Sequence, residues 1–208
     1  MYTQSGRSMV EMLGVLAIIG VLSVGAIAGY SKAMMKYKLN RHAEAVNMLI
    51  NNVLSIKDKL PRNQTGVIYY NTLLSKLNLL PDGIVKLDET FLEDKYFNNS
   101  ISITYSAGDP SLSSFLFWIG SASSDYTLES CYNIIKVAKE NTANVWFVRT
   151  YKHYSDGSGK PSDNLETFYG DAYCNTGYIC LRNITLNNLE KACQSCKDGY
   201  CSIGIFWK

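Results

Sequence analysis

The first 130 residues of this chain contain no cysteine, and residues 12–30 contain no charge. Charged residues make up only 18% of the sequence and the net charge is +2, so neither a basic nor an acidic footprint marks a nucleic-acid partner. There are two histidines, His42 and His153, and neither has the neighbours of a catalytic base, which argues against a hydrolase. No proline or glycine interrupts residues 31–60, so no turn is expected there. Tyrosine, in contrast, is frequent at 15 residues, a composition that suits a folded, polar-surfaced exported domain better than a disordered one.

The uncharged run MLGVLAIIGVLSVGAIAGY, residues 12–30, has 19 residues. As a helix it is about 28 Å long, close to the thickness of a bilayer core. It is longer than the apolar part of a usual secretory signal, no A-x-A site follows it, and the helical pattern continues. Apolar positions recur at Tyr30, Met34, Tyr37, Ala45, Val46, Leu49, Val53 and Leu54, until Pro61 supplies a stop. One helix over residues 8–60 would be about 80 Å long, more than a small domain can cover. Its first half needs lipid or partner helices, and its second half needs a packed head. Gly14, Gly20, Gly25 and Gly29 interrupt the apolar run. Gly25-x-x-x-Gly29 permits close backbone approach between helices, although glycine is common in any membrane helix. Gly14 and Gly20 also weaken helical preference locally. Glu11 is an acid at the edge of the run. Within lipid or a filament core it needs a cation, such as a neighbouring chain's free amino terminus; the alternative is a carboxylate in the headgroup zone.

All six cysteines, Cys131, Cys174, Cys180, Cys193, Cys196 and Cys201, lie in the C-terminal part of the chain. An even number packed at one end points to disulfides formed in an oxidising compartment. Zinc is the competing reading, because Cys193-x-x-Cys196 has ligand spacing. A thioredoxin-like pair wants its CxxC opening a helix, whereas a helix over residues 186–193 would end at this one. His42, between Arg41 and Lys38 on the long helix, is expected in solvent or at a subunit contact. Residues 61–113 read as a connecting region of short elements and turns, such as Pro81-Asp82-Gly83. Strands are expected at 114–120, 145–152 and 202–207, a helix at 127–140 and a loop at 155–163. The mixture indicates an α+β head, with an antiparallel sheet packed on the long helix.

Gly6-Arg7-Ser8-Met9-Val10-Glu11-Met12-Leu13 resembles the prepilin peptidase site of type IV pilins. In that family a glycine precedes the cleavage point, and a glutamate is the fifth mature residue before an apolar helix. Arg7 stands where the family usually has Phe, Met or Leu. The resemblance implies cleavage after Gly6, methylation of the new amine on Arg7, and pairing of Glu11 with a neighbouring subunit's amine. Lys32, Lys36, Lys38 and Arg41 follow the apolar run, and the positive-inside rule alone would put the C-terminus in the cytoplasm. The family topology and the cysteines put it outside.

The C-terminal half is similar to class b type IV pilins in the order strand, helix with cysteine (LESC, 128–131), strand, short helix with cysteine (LEKAC, 189–193), closing strand. This similarity implies a Cys131–Cys193 bridge, consistent with cysteines on the apolar faces of two short helices. The other four have no counterpart in the pattern. They pair most simply as Cys174–Cys180 and Cys196–Cys201, and a crossed pairing is the alternative. The implied organisation is a leader (1–6), a hydrophobic helix half (7–34), an amphipathic helix half (35–60) and a head (61–208), together a ladle-like pilin fold. The implied function is the major subunit of a surface filament, with a secretion pseudopilin or a minor tip pilin as alternatives. The implied partners are copies of itself, the prepilin peptidase, an inner-membrane assembly platform and, before assembly, the membrane. No catalysis, cofactor, metal or nucleic acid is expected, and no receptor is named by the residues.

Weaker motifs read as structure. Asp156-Gly-Ser-Gly resembles part of a calcium loop without its full ligand pattern, and is expected to be a turn. Asn63, Asn98 and Asn183 begin glycosylation sequons, a frequent chance match. The tyrosines at 69, 70, 169, 173 and 178 could face carbohydrate or other filaments, but packed strand positions suit them better.

Overall fold

A computed structural model describes residues 9–61, 66–106, 112–119, 127–153, 161–197 and 200–207. Helix α1 spans Met9–Ile56, tightens into a 3-10 turn at Lys57–Lys59 and stops before Pro61. The chain divides into two compact units, Met1–Lys38 and Leu39–Lys208. In the first, the helix is exposed along its length, with Val10 76%, Leu22 67% and Ile27 66% accessible. Its most apolar 18-residue window has no residue buried inside the chain, and it is long and apolar enough to cross a membrane. In the second unit α1 buries His42, Ala45, Val46, Leu49, Ile50 and Val53. Their spacing of three, then one, repeats along one helical face.

The head has an antiparallel sheet of β1 (Val67–Tyr69), β2 (Ile84–Lys86), β3 (Leu92–Asp94), β4 (Ser100–Ser106), β5 (Leu112–Ile119), β6 (Phe147–His153), β7 (Pro161–Tyr169) and β8 (Tyr200–Trp207). The order is β2-β3-β4-β5-β8-β6-β7, with β1 also pairing β4. The last strand therefore lies inside the sheet, between β5 and β6. Ile203 and Ile205 of β8 sit opposite Phe117 and Phe115 of β5, and Ile205 also opposite Val148 of β6. These are fully buried, or nearly so, and with Ile101, Ile103, Phe168 and Trp207 they line one face of the sheet. Phe115 and Trp207 pack with ring centroids 4.4 Å apart. The core joins this face to the buried stripe of α1, to α3 (Thr127–Glu140) and to α4 (Leu186–Lys197). The architecture is thus α+β, with the long helix on an antiparallel sheet.

Several expected boundaries change. Among the described residues, 61–113 hold β1 to β4, the start of β5 and a short helix, α2 (Asn71–Lys76). In β4 the apolar residues Ile101, Ile103 and Tyr105 alternate with serine and threonine, a half-buried strand pattern hidden by its polar half. Pro161, Ser162 and Asp163 open β7 rather than belonging to the loop. Proline is tolerated there because β7 is an edge strand and Pro161 its first residue. Helix α4 runs on to Lys197, so Cys193 and Cys196 both lie within it. Leu186, the first residue of α4, is 81% exposed.

Two glycines are required by space. Gly83 has φ +84°, and a Cβ there would stand 2.2 Å from the Tyr96 ring. A Cβ on Gly170 would stand 1.9 Å from the Val145 carbonyl oxygen.

Disulfides join Cys131 to Cys193, Cys174 to Cys180 and Cys196 to Cys201. The first ties α3 to α4, and the third ties α4 to β8. The second closes a loop whose Cys180 bridges the end of β7 at Tyr169, with Tyr169 N–H donating to the Ile179 carbonyl at 2.9 Å. The sequence separations are 62, 6 and 5 residues. Chain-entropy arguments give about 4 kcal/mol for the long loop and about 2 kcal/mol for each short one. Cys131→Ser with Cys193→Ser is therefore expected to lose about twice the stability lost by Cys174→Ser with Cys180→Ser. Denaturant unfolding of the two double variants checks this; equal losses would contradict it.

Candidate assembly helix and the buried cluster of the head

Gly6 and Arg7 lie outside the described residues. Glu11 lies in the first turn of α1 and is exposed. At Gly14, Gly20, Gly25 and Gly29 an added Cβ would meet nothing within 4 Å. None of the four is needed for packing within its own chain. Gly25 and Gly29 are one turn apart, so they leave a shallow bare patch about 6 Å long on the helix.

The head brings together residues that the sequence did not connect. His42 is fully buried, contrary to the expectation of a solvated or subunit-contact histidine. The signal was present: His42 lies three, four and seven residues before Ala45, Val46 and Leu49, on the same helical face. Its ring stands edge-on to Phe97, with centroids 5.0 Å apart. Asn133 of α3 donates through Nδ2 to the Leu39 carbonyl at 2.9 Å and faces His42 Nδ1 at 2.8 Å. An amide nitrogen only donates, so Nδ1 is the acceptor and neutral His42 carries its proton on Nε2. Nε2 stands 3.3 Å from Asp94 Oδ2 on β3, a bent approach rather than an aligned hydrogen bond.

Asp94 is fixed by the turn that follows it. Its carboxylate accepts from the backbone N–H of Tyr96 at 2.8 Å and Phe97 at 3.2 Å, and from Asn99 Nδ2 at 3.2 Å. Asn99 Nδ2 also donates to Ser130 Oγ on α3 at 2.7 Å. One polar chain thus links α1, β3, the β3–β4 turn and α3. Burial dominates its electrostatics. Desolvation lowers His42 to about 4. Burial raises Asp94 to about 6 against the pull of its hydrogen bonds, and neighbouring Glu93 adds to the rise.

Beside this cluster lies a cleft of about 310 Å³ lined by Arg41, Glu44, Met48, Leu80, Pro81 and Tyr96, among others. The Arg41 guanidinium is held by Glu44 at 2.8 Å and by the Tyr96 hydroxyl. The cysteines form no metal or redox site: Cys193 and Cys196 have different partners, Cys131 and Cys201, and all six are bridged. Most of the tyrosines pack. Tyr70 is buried and donates to the Pro61 carbonyl at 2.8 Å, Tyr169 stacks on Tyr178 at 4.2 Å, and Tyr173 lies edge-on to Trp146. Tyr69 and Tyr178 remain substantially exposed. No protein-family model and no curated protein matches the chain.

Asn133 supplies the donors for two acceptors, the buried His42 Nδ1 and the part-buried Leu39 carbonyl, so Asn133→Ala leaves both without this partner. The expected loss is about 1–3 kcal/mol of head stability, measured by denaturant unfolding. A variant as stable as the parent would show that the bonds contribute nothing.

Proposed function

We propose that this chain is a type IV pilin-like subunit that polymerises into a surface filament. The observation that carries the reading is the Gly6-to-Glu11 pattern directly ahead of an apolar helix that its own chain leaves uncovered. Val10, Leu13, Ile18, Ile19, Val21, Leu22, Val24 and Ile27 are all more than half exposed. Burying such a side chain is worth about 1.5–3 kcal/mol, so these eight alone represent about 12–24 kcal/mol. That is as large as the whole net stability of a typical domain, about 5–15 kcal/mol. A helix like this resides in a bilayer or against other helices, and a pilin uses both in turn. Before assembly it anchors the chain in the inner membrane. After cleavage by a prepilin peptidase and handling by an assembly platform, copies of the same helix form the filament core. Glu11 then meets the new amine of a neighbouring Arg7, a pairing that sets the stagger between subunits. Three disulfides suit a head that ends outside the cell. On this reading the chain has no catalytic role, and the head supports adhesion, aggregation or motility.

The test is to shear surface fibres from the producing cell and weigh their subunit. A chain beginning at Arg7, with one added methyl group, is expected; a fibre subunit that retains Met1 would end the proposal. Glu11→Ala is expected to insert in the membrane yet yield few or no fibres, because losing one partner of a buried ion pair costs about 3–5 kcal/mol. Normal fibres would remove Glu11 from assembly. A chain found only at fibre tips, or only in a secretion apparatus, would move the reading to a minor pilin or pseudopilin.

Gly25→Ala with Gly29→Ala separates helix packing from ordinary membrane-helix composition. Unfolding of the head should not change, since an added Cβ at either position meets nothing within 4 Å beyond its own stretch of helix. Association of full-length chains in detergent should weaken, as read by analytical ultracentrifugation. Unchanged association would mean that the glycine pair faces lipid only.

A further inference from the structure

We propose that residues 30–38 of α1 form a collar that gathers anionic phospholipid headgroups in the leaflet on the side of the head. The inference rests on the membrane part of the reading above and needs nothing of the filament.

Charge and its placement carry it. Lys32, Lys36 and Lys38 are exposed, and they follow directly on the uncharged run 12–30. No acid occurs between Glu11 and Glu44, so none lies within a helical turn of any of the three. The next cation, Arg41, is already held by Glu44 at 2.8 Å. Among the described residues the three lysines make no ion pair. Their charge therefore has no counterpart in its own stretch of helix.

Height and direction suit phosphate. If residues 12–30 fill the hydrocarbon core, Lys32 stands about 3 Å beyond its edge, Lys36 about 9 Å and Lys38 about 12 Å. The headgroup layer on each side is about 5–8 Å thick. Side chains on a helix lean toward its N-terminus, which here is toward the apolar run, so the long lysine stems reach back to phosphate level. Lys32 and Lys36 share one face of the helix, and Tyr30, Met34 and Tyr37 share the opposite one. Tyr30 and Tyr37 are 67% and 57% exposed, and amphipathic rings at this level anchor a helix at the interface. The collar thus presents cations on one side and interfacial rings on the other.

The charge selects among lipids. A zwitterionic headgroup carries its own cation beside each phosphate, whereas an anionic one does not. One lysine near an anionic surface is favoured about fivefold. The positive-inside rule would draw such a cluster to the cytoplasm. On the proposed topology it lies on the head side, where lipid phosphates are the anions within its reach.

The full chain in phosphatidylcholine vesicles, with a trace of spin-labelled phosphatidylglycerol or spin-labelled phosphatidylcholine, tests this by electron paramagnetic resonance. The restricted fraction of each label gives its affinity for the helix surface. Phosphatidylglycerol should be preferred by about fivefold or more, and the preference should fall toward parity in 1 M salt, where the screening length is about 3 Å. Lys32→Gln with Lys36→Gln and Lys38→Gln should abolish it at low salt. Lys76→Gln with Lys86→Gln and Lys136→Gln removes the same charge from exposed positions of the head and should leave it intact. Equal affinity for both labels in the parent chain, with a restricted fraction present, would overturn the collar and leave the membrane helix standing. Equal losses in the two triple variants would assign the preference to overall charge and overturn the collar too. No restricted fraction with either label would end both readings. The salt series needs no variant, so it decides even if a substituted chain fails to fold.

Discussion

The sheet of the head covers only one of its faces with helices, and that face needs the stripe Ala45, Val46, Leu49, Ile50 and Val53 of α1 to be complete. Remove the stripe and Ile101, Ile103, Phe115 and Phe117 lose part of the layer above them. A sheet with its apolar face bared is not a stable unit, because the apolar side chains that hold its strands together then meet water. The same helix is thus a structural member of the head over its second half, while the apolar residues of its first half are exposed. The first half is apolar and the second carries one apolar stripe, and they differ in what can bury them. The head supplies the cover for one; the surroundings must supply it for the other.

Topology adds a second demand. Strand β8 lies between β5 and β6, so the sheet cannot close until residues 200–207 join strands far earlier in the chain. Such pairing carries the entropy of a long loop before its contacts form. The bridges oppose that entropy where it is greatest. Cys131–Cys193 and Cys196–Cys201 make one covalent path from α3 through α4 to β8. The Cys174–Cys180 loop has another use. It lays Cys180 alongside Tyr169 at the free edge of β7 and stacks Tyr178 on the Tyr169 ring, which blunts an edge otherwise open to another strand.

The strongly periodic and the covalent features were legible in the residues. The long helix was expected over 8–60 and is described over Met9–Ile56, because a proline-free apolar stripe has few other solutions. Strands rich in aromatic and β-branched residues, such as β5, β6 and β8, lay within two or three residues of their expected bounds. What escaped was decided by partners. β4 and β7 have polar halves, and they are strands because neighbours pair with them. His42 looked solvated because its sequence neighbours are basic, yet its spatial neighbours are Asn133, 91 residues away, and Asp94. Its spacing along α1 marked the buried face, but nothing along the chain announces partners that come from α3 and β3.

That polar cluster also answers a question the apolar stripe leaves open. Small and branched apolar residues at Ala45, Val46, Leu49, Ile50 and Val53 would pack almost as well if α1 slid by one turn, about 5.4 Å. Burial alone therefore sets which face of the helix docks more firmly than it sets the level at which it docks. His42 and the Leu39 carbonyl remove the ambiguity, because Asn133 can satisfy both at one level only. After a one-turn slip the imidazole would face apolar side chains with its polar atoms stranded, at a cost of about 1–3 kcal/mol for each lost partner. Several such losses outweigh the small difference between two apolar registers. A buried polar pair adds little net stability but can hold one alignment against others. Here it holds the helix at one height in the head.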